Sequence, residues 1–131
     1  MEFRRVLFRL FGWVMAPVSW IMGVEGWHDC QIFGRLLGTK VAVNEFIAFN
    51  DLQMVMPASG GELVFESARS AKMAAYALCG FANFASIGIQ IGGIAPLAPE
   101  RKPEISRLAL RAMIGGAIAS WMTAALAGMF R

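Results

Sequence analysis

Histidine is almost missing from this chain. His28 stands alone among 131 residues, so no histidine-based metal cluster can be assembled, and the bland reading is an interfacial side chain beside Trp27. Two cysteines, Cys30 and Cys79, lie far apart in apolar contexts, which excludes a disulfide framework and gives no thiolate metal site. Charge is scarce too. Charged residues make up 16% of the chain against roughly 25% in soluble domains, and hydrophobic residues reach 57%. Mean hydropathy is +0.56. The net charge of +3 comes from cations scattered between apolar runs; they form no stripe, so nucleic acid is not the expected partner. What the composition leaves is a chain whose solvent is largely the lipid bilayer.

The longest uncharged run is Met73 to Pro99, 27 residues, more than the roughly 20 needed to cross a hydrocarbon core. Its middle is not that of an anchor. Gly80, Asn83, Ser86 and Gly88 weaken helix propensity and put hydrogen-bonding side chains at membrane depth. The pattern predicts a broken transmembrane helix over 73–99 with its interruption near Gly80 to Asn83. Exposed backbone there needs surrounding protein or a cavity, which is how secondary transporters build midplane sites.

The other segments follow in order. Residues 1–9, MEFRRVLFR, read as an artefactual or non-native start and are set aside. Residues 10–27 read as the end of a transmembrane or interfacial helix; Trp13, Trp20 and Trp27 recur every seven residues and share one face if the helix continues. Residues 28–56 form two arms of about ten residues each on either side of Gly38-Thr39-Lys40. Each arm is about half a span, so the pair reads as a re-entrant hairpin, with a single interfacial or buried helix from Gln31 to Met56 as the alternative. Glu45 lies inside it. A carboxylate near the bilayer centre costs about 2.5–3.5 kcal/mol on insertion scales, which makes it a functional candidate, with pairing to Lys40 as the bland explanation.

Residues 57–72 give a loop and amphipathic lead-in, with Ser67 or Ser70 able to cap the next helix. After the broken helix, Pro96 and Pro99 stop the chain at a charged loop, 100–104. A final transmembrane helix then fills 105–131; its uncharged part, Ala112 to Phe130, is 19 residues long and carries Gly115, Gly116, Ala119, Ala125 and Gly128, which permit close helix approach. Arg101, Lys102, Arg107 and Arg111 mark the preceding loop as cytoplasmic. The fold class is therefore all-α: a polytopic, multi-pass membrane protein with a re-entrant hairpin, a broken helix and a final spanning helix. No nucleophile–base pair is available, so an enzyme is not expected.

Several stretches, taken together and in this order, carry a resemblance: Gly38-Thr39-Lys40 with Asn44-Glu45-Phe46, Ser67-Ala68-Arg69-Ser70, Tyr76 through Phe84, Ser86-Ile87-Gly88-Ile89-Gln90-Ile91-Gly92-Gly93, and Leu97-Ala98-Pro99-Glu100-Arg101. They resemble the C-terminal part of the concentrative nucleoside transporter family, from roughly Gly12 onward. The resemblance implies a homotrimeric, cation-coupled symporter of the plasma (inner) membrane, built from inverted repeats, of which this chain holds the second repeat and the last helix. It implies sodium or protons as coupling ion and no other cofactor. It makes Glu45 the carboxylate that binds the ribose of a nucleoside, Asn83 and Ser86 its partners on the broken helix, Phe81 an apolar neighbour of the substrate, and places Asn44 of the Asn-Glu-Phe motif with the same substrate-binding set. The family's first hairpin, which contacts the base, has no counterpart here. A carboxylate, an amide and a hydroxyl suit a neutral, hydroxyl-rich ligand. The other function class is a free-standing structural or interaction subunit of the membrane, which accounts for the hydrophobicity but not for polar groups inside apolar segments.

Overall fold

The computed structural model describes residues 2–56, 58, 60–61 and 64–130. The expectations for Met1, for Arg131 and for part of the 57–72 lead-in, at Pro57, Ser59, Glu62 and Leu63, fall outside the described residues. Every regular element described is helical: α1 (Glu2–Ile21), α2 (Trp27–Ala42), α3 (Glu45–Met54), α4 (Ala68–Leu78), α5 (Phe84–Ile94) and α6 (Lys102–Ala127), with two short 3₁₀ turns, Ala95–Leu97 and Pro99–Arg101, between α5 and α6. Helix α1 starts inside the segment set aside as foreign and runs through residue 9 without a break.

Helix α2 is the centre of the molecule. Ten of its 16 residues are buried, and around its Cys30, Phe33 and Leu37 gather Ala48, Leu52, Phe65, Met73, Ala77 and Leu78. Its partner α1 crosses at short range because both backbones are bare at the contact. A Cβ added to Gly34 would stand 2.8 Å from the Gly12 carbonyl oxygen and 2.9 Å from the Ala16 nitrogen, and one added to Gly38 would collide with Phe11. Small residues let helices meet this closely where water-driven association is absent. The close approach expected at the small residues of the last helix is made in part: Gly128 lies tight against Met73 and Gly116 near Ala82, while Gly115 faces nothing within 4 Å.

This corrects the expected hairpin tip. Gly38-Thr39-Lys40 is not a breaker: the helix passes through it, the Thr39 hydroxyl donates to the Arg35 carbonyl at 3.0 Å, and Gly38 is present because Phe11 leaves no room for a side chain. The break lies at Val43–Asn44, where the Asn44 side-chain oxygen accepts from the Ile47 amide at 2.9 Å and starts α3. Helix α3 then folds back along α2, bringing Met54 and Val55 beside Ile32 and Leu36. At 16 residues α2 is about 24 Å long, short of the roughly 30 Å hydrocarbon core.

The tryptophan stripe also changes. Helix α1 ends at Ile21, and the chain turns through Gly23 and Gly26, with φ of 92° and 78°, values that suit glycine. Trp27 thus opens α2, and its ring meets Trp13 edge-on, centroids 5.9 Å apart, while Trp20 stays exposed.

The broken helix is two helices. Ser67 caps α4, which starts in the expected lead-in, its hydroxyl accepting from the Ser70 amide at 3.4 Å. Between α4 and α5 the chain is non-helical from Cys79 to Asn83, with Gly80 at φ 94°. The charged loop at 100–104 is shorter than expected, since α6 begins at Lys102 with Pro103 in its first turn, where a missing amide costs nothing. Among the described residues only the stretch Pro99–Ala127 is both long and apolar enough to cross a membrane; Phe8–Ile21 and Phe84–Leu97 are apolar but shorter.

Candidate functional site

Two helix starts meet in the interior. Asn44 caps α3 and Asn83 caps α5, so the amide-rich, partially positive ends of both helices converge beside Glu45, the first residue of α3. The Asn83 amide nitrogen donates to Glu45 Oε2 at 2.8 Å, and its oxygen accepts both the backbone amide of Ser86 at 2.8 Å and the Ser86 hydroxyl at 2.9 Å. Asn83 is 1% exposed and Ser86 5%, whereas Glu45 is only half-buried. The chain of bonds runs hydroxyl to amide to carboxylate. One side of the carboxylate is held and the other is open.

Glu45, Asn83 and Ser86 are therefore brought together. Asn44 lies next to them, but its side-chain oxygen is engaged as the α3 cap. Phe81 lies at the edge of this set: its ring is 71% exposed and shares with Ser86 an open groove of about 190 Å³ between the break and α6, lined also by Gly80, Gln90, Met113 and Gly116. The Asn83 oxygen also satisfies a freed backbone amide of α5, that of Ser86, so for Asn83 the structural reading and the functional one describe the same atom; the Ser86 hydroxyl bonds only that side-chain oxygen.

Lys40 does not pair with Glu45. Its ammonium, fully buried, reaches across to the other break and donates to the Ala77 carbonyl at 2.8 Å, the Cys79 carbonyl at 2.9 Å and the Ser120 hydroxyl at 3.1 Å. The α4 C-terminus leaves carbonyls without intrahelical donors, and a cation is the partner its dipole favours. Glu45, with its charge placed at two helix N-termini, has no need of the lysine.

Two further residues were not singled out from the sequence. Asp29 is 1% exposed and accepts the amides of Glu66 and Ser67 at 2.8 and 3.1 Å, fixing the start of α4 to the start of α2. Arg69 donates to the Gly128 carbonyl at 2.6 Å and to the Gly23 carbonyl at 3.1 Å, and pairs with Glu25 at 3.0 Å. The only sequence signal was Arg69 inside the Ser-Ala-Arg-Ser motif; their partners lie 37 to 59 positions away.

This arrangement has close relatives. E. coli K12 "Putative nucleoside permease NupX" is 39% identical over 121 residues, 92% of this chain and 28% of that protein. Rat "Solute carrier family 28 member 3" is 44% identical over 125 residues, 89% of this chain and 18% of the relative. Among solved structures, that of CNTnw in an inward-facing substrate-bound state superposes with a TM-score of 0.87 at 35% identity, covering 95% of this chain and 29% of that one. The chain thus spans under a third of the length of each of these relatives. The family described as "Na+ dependent nucleoside transporter C-terminus" matches residues 2–128, and this chain belongs to it.

Proposed function

We propose that these 131 residues form the C-terminal portion of a cation-coupled nucleoside symporter and supply the ribose-binding half of its substrate site. The observation that carries this reading is the Glu45–Asn83–Ser86 chain at two converging helix starts. In broken-helix transporters such positive ends face anionic substrate groups. Here the protein's own carboxylate stands there, so an anionic ligand would be repelled. A neutral diol can donate both hydroxyls to the open side of Glu45 while Asn83 and Ser86 hold that carboxylate in place. Asn44 contributes by fixing the first turn of α3, and Phe81 offers an apolar surface at the rim. The family description favours sodium over protons as the coupling ion. The α2–α3 pair acts as a re-entrant hairpin, and the assembled protein is a homotrimer in the plasma (inner) membrane. A free-standing structural subunit would leave the half-open carboxylate with nothing to bind.

The test is a chimera in which this chain replaces the matching segment of NupX, expressed in cells lacking other nucleoside uptake. Saturable uptake of radiolabelled uridine is expected. A chimera that is made and inserted but takes up no nucleoside would overturn the reading. The 131 residues reconstituted alone should take up none, because alternating access needs a second moving unit around the site. For the hairpin, cysteines at Trp27 and Gln53, both exposed, should be labelled from the same side of the membrane; labelling from opposite sides would remove re-entrance.

A further inference from the structure

Lys40 is a fully buried charge to which no carboxylate among the described residues is bonded. Its bonded partners are two backbone carbonyls at the end of α4 and one hydroxyl of α6. Three neutral oxygens drawn from a half-helix C-terminus and a neighbouring helix are the kind of donor set that a monovalent cation takes in broken-helix transporters, where unwound carbonyls and half-helix C-termini coordinate the coupling ion. The ammonium is not bonded to Glu45, whose carboxylate is held by Asn83.

We propose that Lys40 is a built-in cation: its ammonium occupies, at the C-terminal end of α4, the place a bound monovalent cation would otherwise take. The α4–α5 break is thereby held in every step of a transport cycle, because a tethered ion neither arrives nor leaves. The mobile coupling ion must then bind elsewhere in the assembled protein. Ser120 makes the tether a link between the break and α6, so the ammonium also fixes the broken helix to the last spanning helix. This goes beyond the transport reading and needs only a membrane-embedded chain, not a nucleoside substrate.

The experiment uses the NupX chimera purified in detergent, with no nucleoside present, so its outcome is independent of uptake. Unfolding midpoints are compared in choline, sodium, potassium and methylammonium chloride at equal ionic strength. Lys40→Ala should lower the midpoint in choline by about 5–10 °C. It should regain at least half of that loss, saturably, in one of the small cations, while the parent chimera shifts less across the same series. Equal loss in all four salts would overturn the proposal. Should Lys40→Ala not fold in any salt, the decision passes to Lys40→Arg against Lys40→Gln, which both donate hydrogen bonds but differ in charge. Retention of the parent midpoint by the arginine variant and its loss in the glutamine variant supports a cation requirement. Equal midpoints in these two variants overturn it.

Discussion

The two breaks in this molecule are built differently. The first, Val43–Asn44 between α2 and α3, is two residues long and carries charge on both flanks, Lys40 before it and Glu45 after it. The second, Cys79–Asn83 between α4 and α5, is five residues long, contains no charge and needs Gly80 in the left-handed region. Each flank of the first break serves the second: Lys40 donates to the carbonyls where α4 ends, and Glu45 accepts from the amide where α5 begins. Each break caps the helix that follows it, through Asn44 and Asn83, but only the long one also takes side chains from the other, at both of its ends. The charges sit on the hairpin and the freed backbone sits on the broken helix, so neither is stable in a membrane without the other.

The largest test of this division is Glu45→Ala in the chimera. Glu45 is half-buried and accepts one hydrogen bond, from Asn83, so its removal should cost about 1–3 kcal/mol for that unpaired amide while leaving the chain folded and inserted. Two hydrogen bonds from ligand hydroxyls to a charged acceptor are worth about 1.5–3 kcal/mol each, which predicts a loss of uridine uptake of about a hundredfold or more. Uptake at the parent level would take Glu45 out of the site.

Asn83→Asp comes next and probes the second break alone. Asparagine and aspartate cap helices about equally well, so capping predicts no change. But Asn83 is 1% exposed and donates to Glu45 at 2.8 Å; an aspartate would face a carboxylate with a carboxylate. The expected result is a destabilisation of about 2–4 kcal/mol, with loss of uptake, checked by the unfolding midpoint in detergent. A midpoint unchanged from the parent would show that the two breaks are not joined at this bond.

Ser86→Ala should be milder. The hydroxyl is buried but its bond goes to an Asn83 oxygen that keeps the Ser86 backbone amide, so the α5 cap survives. A net neutral hydrogen bond of about 0.5–1.5 kcal/mol predicts uptake reduced between about twofold and tenfold, read from the saturation curve at equal expression.

How much of this was legible beforehand depended on whether a residue's reason was local. The interruption around Gly80 and Asn83 was visible because it is made by residue types that break or cap helices in any context. The five stretches that carry the family resemblance, read together, group Glu45, Asn83 and Ser86 as one set. The hairpin tip was misplaced for a physical reason: a glycine beside a threonine reads as a weak helix, yet Gly38 is there for the approach of α1, and nothing in the local sequence distinguishes a glycine that turns from one that packs. For Lys40 the sequence offers only its neighbour Glu45, as the bland alternative, while its partners lie 37, 39 and 80 positions away. Asp29 and Arg69 went unnoticed for the same cause, since a buried polar side chain announces itself only through the distant backbone it satisfies.

The smallest effect should come from Asn44→Asp, the same substitution as at Asn83 made at the first break. Asn44 is half-buried, and its side-chain oxygen accepts the Ile47 amide at 2.9 Å, a bond that an aspartate oxygen can make equally well. A negative group at a helix N-terminus is also favoured by the dipole, although Glu45 next to it offsets part of that gain. The unfolding midpoint should therefore correspond to a change within about 0.5 kcal/mol, and uptake should stay within about threefold of the parent if Asn44 acts by positioning α3. A loss of uptake approaching that of Glu45→Ala at unchanged stability would instead make the Asn44 amide a direct donor to substrate, and the first break would then be a binding element on both sides of its tip.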